Sequence, residues 1–163
     1  MTAPRLRPAG EADRPDLAAV LAEAGLSTQA LLAPGSHYWA AEAEGLMVGV
    51  IGLELGAGAA LLRSLAVRPA ARGQGLGAAL VAEALRWAEA QALRAAYLFS
   101  TDAGPFWRRQ GFVEVPVPEL VAALPEAPQV QHYAAHGWLP DEVAYRRALS
   151  SSAALGRPVT VRD

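Results

Sequence analysis

The chain has 163 residues, 53% of them apolar and 18% charged, with a formal net charge of -2 at pH 7. That size and balance describe a globular protein with room for a hydrophobic core, and they exclude a general nucleic-acid binder, which carries a basic excess. There is no cysteine and every basic residue is arginine, which excludes disulfides, thiolate metal sites, cysteine nucleophiles, Schiff-base lysines and the Walker phosphate loop together.

The first ten residues alternate proline and arginine around no apolar segment, and no apolar run reaches the length of a membrane span. The expected location is therefore the cytoplasm. A short first strand is predicted over 5–8. Asp13 and Pro15 then start a helix that runs to Ala24, with Leu17, Val20, Leu21 and Ala24 on one face and Gly25 as its stop. One further helical turn is predicted over 28–32, before Pro34 and Gly35 break the chain.

Three strands follow, over 37–43, 46–55 and 60–67, joined by Glu44-Gly45 and by Gly56-Ala57-Gly58. Turns this short force antiparallel neighbours, so the three form a meander. A helix over 75–91 carries Leu76, Leu80, Val81, Ala84, Leu85 and Ala88 on a buried stripe. The strand over 95–100 is reached by that crossover and runs parallel to the fourth. A short helix over 104–110, a strand over 112–115, a helix over 118–124 and a last edge strand over 143–147 complete the pattern. A single domain over 1–149 is expected, with a poorly ordered tail over 150–163.

The stretch from Arg68 to Gly77 organises the rest. An apolar strand leads through a basic loop with a proline into glycines at 73, 75 and 77, and then into the long helix. A helix start leaves backbone N–H groups without partners at the positive end of the helix dipole, and glycines there let an anion approach them. Gly73-x-Gly75-x-x-Ala78 formally fits a dinucleotide fingerprint. That motif, however, places its first glycine directly at a strand end in a parallel sheet. Here five residues intervene and a meander comes before.

Arg72-Gly73-Gln74-Gly75-Leu76-Gly77, following Leu65-Ala66-Val67-Arg68-Pro69, resembles the acetyl-CoA motif of the GCN5-related N-acetyltransferases (GNAT). Arg7-Pro8-Ala9 with Glu11 and Asp13 is similar to that family's first strand and the start of its first helix. Phe106-Trp107-Arg108-Arg109-Gln110-Gly111-Phe112 resembles its helix-four and strand-six signature. The resemblance implies an α/β fold with a mixed, mostly antiparallel sheet of about seven strands flanked by helices, strands four and five splaying apart. It implies acetyl-CoA as cosubstrate, with the pyrophosphate on the N–H groups of Gln74, Gly75, Leu76, Gly77 and Ala78, beside Gly73 and Arg72. The pantetheine arm would pair with the backbone of Leu65, Ala66 and Val67. It further implies acetyl transfer to the primary amine of a small molecule by direct attack in a ternary complex, with a homodimer among the family's common assemblies. Leu61 to Val67, Tyr97 to Ala103 and Pro105-Phe106 also resemble a subgroup associated with arsenic resistance and amino-acid N-acetylation. Two alternatives stand beside this reading: a peptide or protein amine as acceptor, and an acyl-CoA-binding sensor without turnover.

Acetyl transfer from a thioester to an amine needs a base, polarisation of the carbonyl oxygen and help for the leaving thiolate. Many relatives carry a tyrosine four residues before the Gly-Phe pair, where this chain has Trp107. An indole N–H donates a hydrogen bond but keeps its proton near neutral pH, so either the thiolate leaves unaided or Ser100, Thr101 or water takes that role. Trp107 is either a substrate-facing wall or core packing. Glu54, on an otherwise apolar strand, is the expected base; the alternative is a strand end emerging into solvent. Arg63 is either a grip for a substrate carboxylate or half of a structural ion pair, perhaps with Glu54 itself. His37 reads as a surface residue and His132 and His136 stay unassigned. No His, Asp or Glu spacing suggests a metal site.

Overall fold

The computed structural model describes residues 3–150. Within them lie the strands β1 (Arg5–Ala9), β2 (Ser36–Ala43), β3 (Leu46–Leu55), β4 (Ala59–Val67), β5 (Ala95–Phe99), β6 (Val113–Val115) and β7 (Ala144–Ala148). The helices are α1 (Arg14–Glu23), α2 (Leu76–Ala90), α3 (Gly104–Arg109), α4 (Val117–Ala123) and α5 (Pro128–Ala135). The strands form one mixed sheet in the order β1-β2-β3-β4-β5-β7-β6, which is the expected fold class. Two compact units divide the chain: Met1–Glu54 with Leu62–Ala84, and Leu55–Leu61 with Leu85–Asp163.

In the first unit, β1 and β2 pair antiparallel from Arg5↔Glu42 to Ala9↔Tyr38, and β2 and β3 from Ser36↔Glu54 to Ala43↔Leu46. Glu44 and Gly45 both have positive φ, the geometry of a two-residue hairpin turn whose twist suits the strands it joins. Leu17, Val20 and Leu21 of α1 pack with Tyr38, Ala40, Met47, Val50 and Ala66 as this unit's core. Gly25, at φ 73°, ends α1 as expected. Residues 28–32 are not helical: they form turns, and Ala30 and Leu32 take left-handed φ of 62° and 58°.

Arg7 ties this unit's N-terminal strand to the helix start. Its Nη1 and Nη2 donate to the two oxygens of Asp13 at 3.1 and 2.7 Å, and Nη2 also donates to Glu42 at 2.9 Å. The Gly10 N–H donates to Asp13 as well. These bonds, Arg7's first, hold the Asp13 carboxyl down from 3.8 to about 2. A depressed carboxyl contributes stability that is full above its unfolded pKa and lost as pH falls through the folded one. Asp13→Asn should therefore cost about 1 kcal/mol at pH 6, after allowing for solvent screening, and almost nothing at pH 2. Urea unfolding at the two pH values measures this, and an equal loss at both would remove Asp13 from the acid response.

In the second unit, β4 and β5 run parallel through Ala59↔Ala95, Ala60↔Ala96 and Leu61↔Tyr97, where the ladder stops. The last strand is not the edge strand anticipated. β7 lies between β5 and β6, antiparallel to both. It carries two arginines, Arg146 and Arg147. Each carries its charged head away from the strand, Arg146 Nε to the Tyr97 hydroxyl at 3.3 Å and Arg147 Nη1 to the Gln110 carbonyl at 2.8 Å. Ala59, Leu61, Ala95 and Tyr97 pack with Leu120 of α4, Leu124 just after it and Val130 of α5. The helix α5 was not anticipated. The tail expected over 150–163 lies, beyond Ser150, outside the described residues. Along α2, Leu76, Leu80, Val81, Ala84, Leu85 and Ala88 are all buried, the stripe read from sequence.

Candidate active site

In the first unit, β4 runs out through Arg68, whose N–H donates to the Val48 carbonyl at 2.8 Å, into a 3-10 turn over Pro69–Ala71. Gly73 and Gly75 follow at φ 79° and 76°. A Cβ at either position would meet no atom within 4 Å. Glycine is thus needed there for its backbone conformation, and the surface above it stays open. The first bond into α2 runs from the Ala79 N–H to the Gly75 carbonyl at 3.0 Å. The N–H groups of Leu76, Gly77 and Ala78 come ahead of it, so none has an intrahelical acceptor. Gly73, Gln74, Gly75, Leu76, Gly77 and Ala78 therefore occur as one loop and helix start, as the sequence suggested. Arg72 folds back along the strand, its Nε donating to the Val67 carbonyl at 2.9 Å. Gln74, with Asp16, Leu46, Met47 and Arg68, also lines a pocket of about 430 Å³ in the same unit.

Upstream on β4, Ser64 is at φ 62°, a left-handed residue inside a strand. It breaks the alternation of the ladder just before Leu65, Ala66 and Val67. Beside it lies a buried polar cluster. Arg63 Nη1 donates to Glu54 Oε2 at 2.7 Å, with the two side chains only 5% and 1% exposed. Arg63 Nη2 donates to the Gln29 carbonyl at 2.9 Å, and Nε to Ser64 Oγ at 3.1 Å. Glu54 does not emerge into solvent, and it is the partner with which Arg63 forms an ion pair.

Sequence reasoning missed Tyr38 in this cluster. Its ring lies over Gly52, so close that a Cβ on that glycine would fall 2.5 Å from it. Burial pushes the Tyr38 phenol up, opposed by the charge of Arg63. Its hydroxyl is buried without a well-formed hydrogen bond, with Ser64 and Leu32 as polar neighbours. The readable signal was a glycine inside a strand, which marks a close approach. His37, one residue earlier, is pushed below its ordinary value by burial.

In the second unit, Ser100 follows β5. Its Oγ accepts the Ala103 N–H at 3.2 Å and its own N–H donates to the Val143 carbonyl at 2.9 Å. Trp107 in α3 is 7% exposed and sits edge-on to Phe106 and Phe112, with ring centroids 4.9 and 5.4 Å away. These contacts belong to a packed aromatic core. His132 and His136 stack beside Trp138 around the end of α5, their own rings 4.3 Å apart. Among the described residues, no three His, Asp or Glu side chains are grouped to hold a metal, and no helix is long and apolar enough to cross a membrane.

Residues 34–114, which include β4, the glycine loop and α3, match the profile of the acetyltransferase (GNAT) domain. No curated protein sequence matches the chain. Among solved structures, N-acetylglutamate synthase from Neisseria gonorrhoeae, complexed with coenzyme A and N-acetyl-glutamate, is similar over 91% of this chain and 36% of its own, with 23% identity and a TM-score of 0.73. A GNAT-family acetyltransferase from Staphylococcus aureus Mu50 is similar over 90% of this chain and 99% of its own, with 20% identity and a TM-score of 0.72. Rv2747 from Mycobacterium tuberculosis, in complex with CoA and NLQ, has 20% identity and a TM-score of 0.69 over 90% and 99% of the two chains. The chain thus spans about a third of the Neisseria synthase and nearly all of the other two. At these identities the likeness establishes the fold.

Proposed function

Since this chain belongs to the acetyltransferase (GNAT) family, we propose that it transfers the acetyl group of acetyl-CoA to the primary amine of a small, amino-acid-like molecule. The observation that carries this reading is the glycine loop. Two positive-φ glycines with open space above them lead into a helix whose first N–H groups lack intrahelical partners. Such a loop fits a pyrophosphate: the N–H groups of Gln74, Gly75, Leu76, Gly77 and Ala78 would receive its oxygens, favoured by the helix dipole. Leu65, Ala66 and Val67 would pair with the amide groups of the pantetheine arm.

Acetyl-CoA supplies the activated acetyl group as a thioester. A backbone N–H of β4 beyond Ser64 would donate to the carbonyl oxygen as it gains charge. The amine nitrogen bonds to the acetyl carbon, the carbon–sulfur bond breaks, and the amine's proton passes through water to Glu54. Glu54 Oε2 already accepts from Arg63 Nη1 at 2.7 Å, and taking up the proton would weaken that pairing. The Ser100 hydroxyl, whose oxygen already accepts from Ala103, is the assigned hydrogen-bond donor for the departing sulfur. The amino-acid-like acceptor is supported by the likeness to a synthase solved with N-acetyl-glutamate.

A thermal unfolding scan tests the reading. Acetyl-CoA at a hundred times its dissociation constant should stabilise the protein by about 2.7 kcal/mol, with NADH giving no shift. Gly75→Ala, which places a side chain on a left-handed residue, should shrink that effect. No shift with acetyl-CoA would end this reading. Binding without turnover across an amine panel, amino acids first, would instead support a CoA-binding module.

A further inference from the structure

Two left-handed non-glycine residues, Ser64 and Ala30, lie at or next to groups that one side chain bonds. Ala30 and Leu32 sit between α1 and β2, and Ser64 sits within β4, at φ 62°, 58° and 62°. L-residues avoid that region because Cβ crowds the carbonyl oxygen, so all three persist only where their surroundings hold them. Arg63 reaches two of the three positions. Its planar fork donates to Ser64 Oγ, to the carbonyl of Gln29 immediately before Ala30, and to Glu54. Glu54, 1% exposed, fixes the tilt of the guanidinium. The Tyr38 ring, pressed onto Gly52, lies close enough for its phenol to feel both charges.

We propose that Arg63, clamped by Glu54, is a positioning residue. It sets the left-handed turn at Ser64, and with it the direction in which Leu65, Ala66 and Val67 present their backbone N–H groups. The guanidinium does not touch the acceptor. It fastens the α1–β2 segment and the turn in β4 to a single rigid plane, a task for which lysine's one flexible ammonium is no substitute. The role in catalysis rests on the acetyl-CoA reading above; the hold on Ser64 does not.

Two readouts separate these. The first needs no substrate: NMR backbone shifts that report φ at Ser64, with amide exchange at Leu65, Ala66 and Val67. Arg63→Gln should take Ser64 out of positive φ and speed exchange at those amides at least tenfold. Adding Ser64→Gly should restore the turn, because glycine adopts it unaided. The second readout is turnover with acetyl-CoA and the best acceptor from the amine panel. Arg63→Gln should lower kcat at least tenfold for every amine and raise KM for acetyl-CoA, whose pantetheine arm the N–H groups of Leu65, Ala66 and Val67 would meet, and the double variant should recover most of both.

Should Arg63→Gln fail to fold, Ser64→Val gives the same answer with the ion pair intact. Its branched side chain resists the left-handed turn, so exchange should rise and kcat fall likewise. The proposal is overturned if Ser64 keeps its positive φ in Arg63→Gln, if Ser64→Gly brings no recovery, or if Ser64→Val leaves exchange unchanged. A wild-type protein that ignores acetyl-CoA would sink the functional reading, while φ at Ser64 would still decide what Arg63 does.

Discussion

Glu54→Gln will destabilise the protein by about 3–5 kcal/mol, because it leaves the guanidinium of Arg63 in the interior without its counter-charge. In a chain of 163 residues that is a fall in midpoint temperature of about 10 °C. The size follows from burial: the two side chains are 1% and 5% exposed and meet at 2.7 Å, so the charge left behind is poorly screened by bulk solvent. Removing both charges behaves differently. Glu54→Leu with Arg63→Met should recover most of the stability, as apolar replacement of a buried pair commonly does, yet it should not recover activity. The same Glu54→Gln variant separates the two roles of the carboxylate. If Glu54 relays the amine's proton, the rate lost at pH 7 returns as pH rises and the amine deprotonates in solution. If Glu54 serves only to clamp Arg63, the loss is the same at every pH. Stability unchanged within 1 kcal/mol would mean that Arg63 finds another partner.

The contrast between what was legible and what was not follows from which interactions are local. Gly73 and Gly75 act through their own φ and through the helix that starts beside them, so a string of six residues was enough to find the glycine loop and the start of α2. The stripe along α2 repeats with helical period, and all six of its residues are buried. Arg63 and Glu54 could be singled out because charges on apolar strands need a reason, but their remaining partners could not. The Gln29 carbonyl belongs to the backbone and carries no sequence signature, and the left-handed turn at Ser64 falls on a residue type that does not demand it. The place of β7 between β5 and β6 was not legible, because only the tertiary fold supplies the Tyr97 hydroxyl and Gln110 carbonyl that receive Arg146 and Arg147. The helix α5 escaped because it is eight residues long and buries Val130 alone.

Trp107→Ala should cost about 3–5 kcal/mol, the usual penalty for emptying a buried aromatic site, and Trp107→Tyr should cost less while leaving kcat no higher than wild type. The second result is the informative one. Position 107 is where many relatives carry a tyrosine that protonates the leaving thiolate, so restoring tyrosine would speed the reaction if the side chain reached the sulfur. Its surroundings argue otherwise. The indole is 7% exposed, held edge-on by Phe106 and Phe112, and its backbone carbonyl accepts the Phe112 N–H at 3.1 Å as the chain turns out of α3. A phenol placed there is smaller than the indole and leaves a gap among rings, and it brings a hydroxyl that needs a partner in a mostly apolar setting. Both effects lower stability, and neither carries the hydroxyl toward a ligand. Thermal unfolding and single-turnover rates on the two variants decide it. A Trp107→Tyr enzyme that is faster at neutral pH would show that residue 107 faces the reaction, and the donor role would pass from Ser100 to that position.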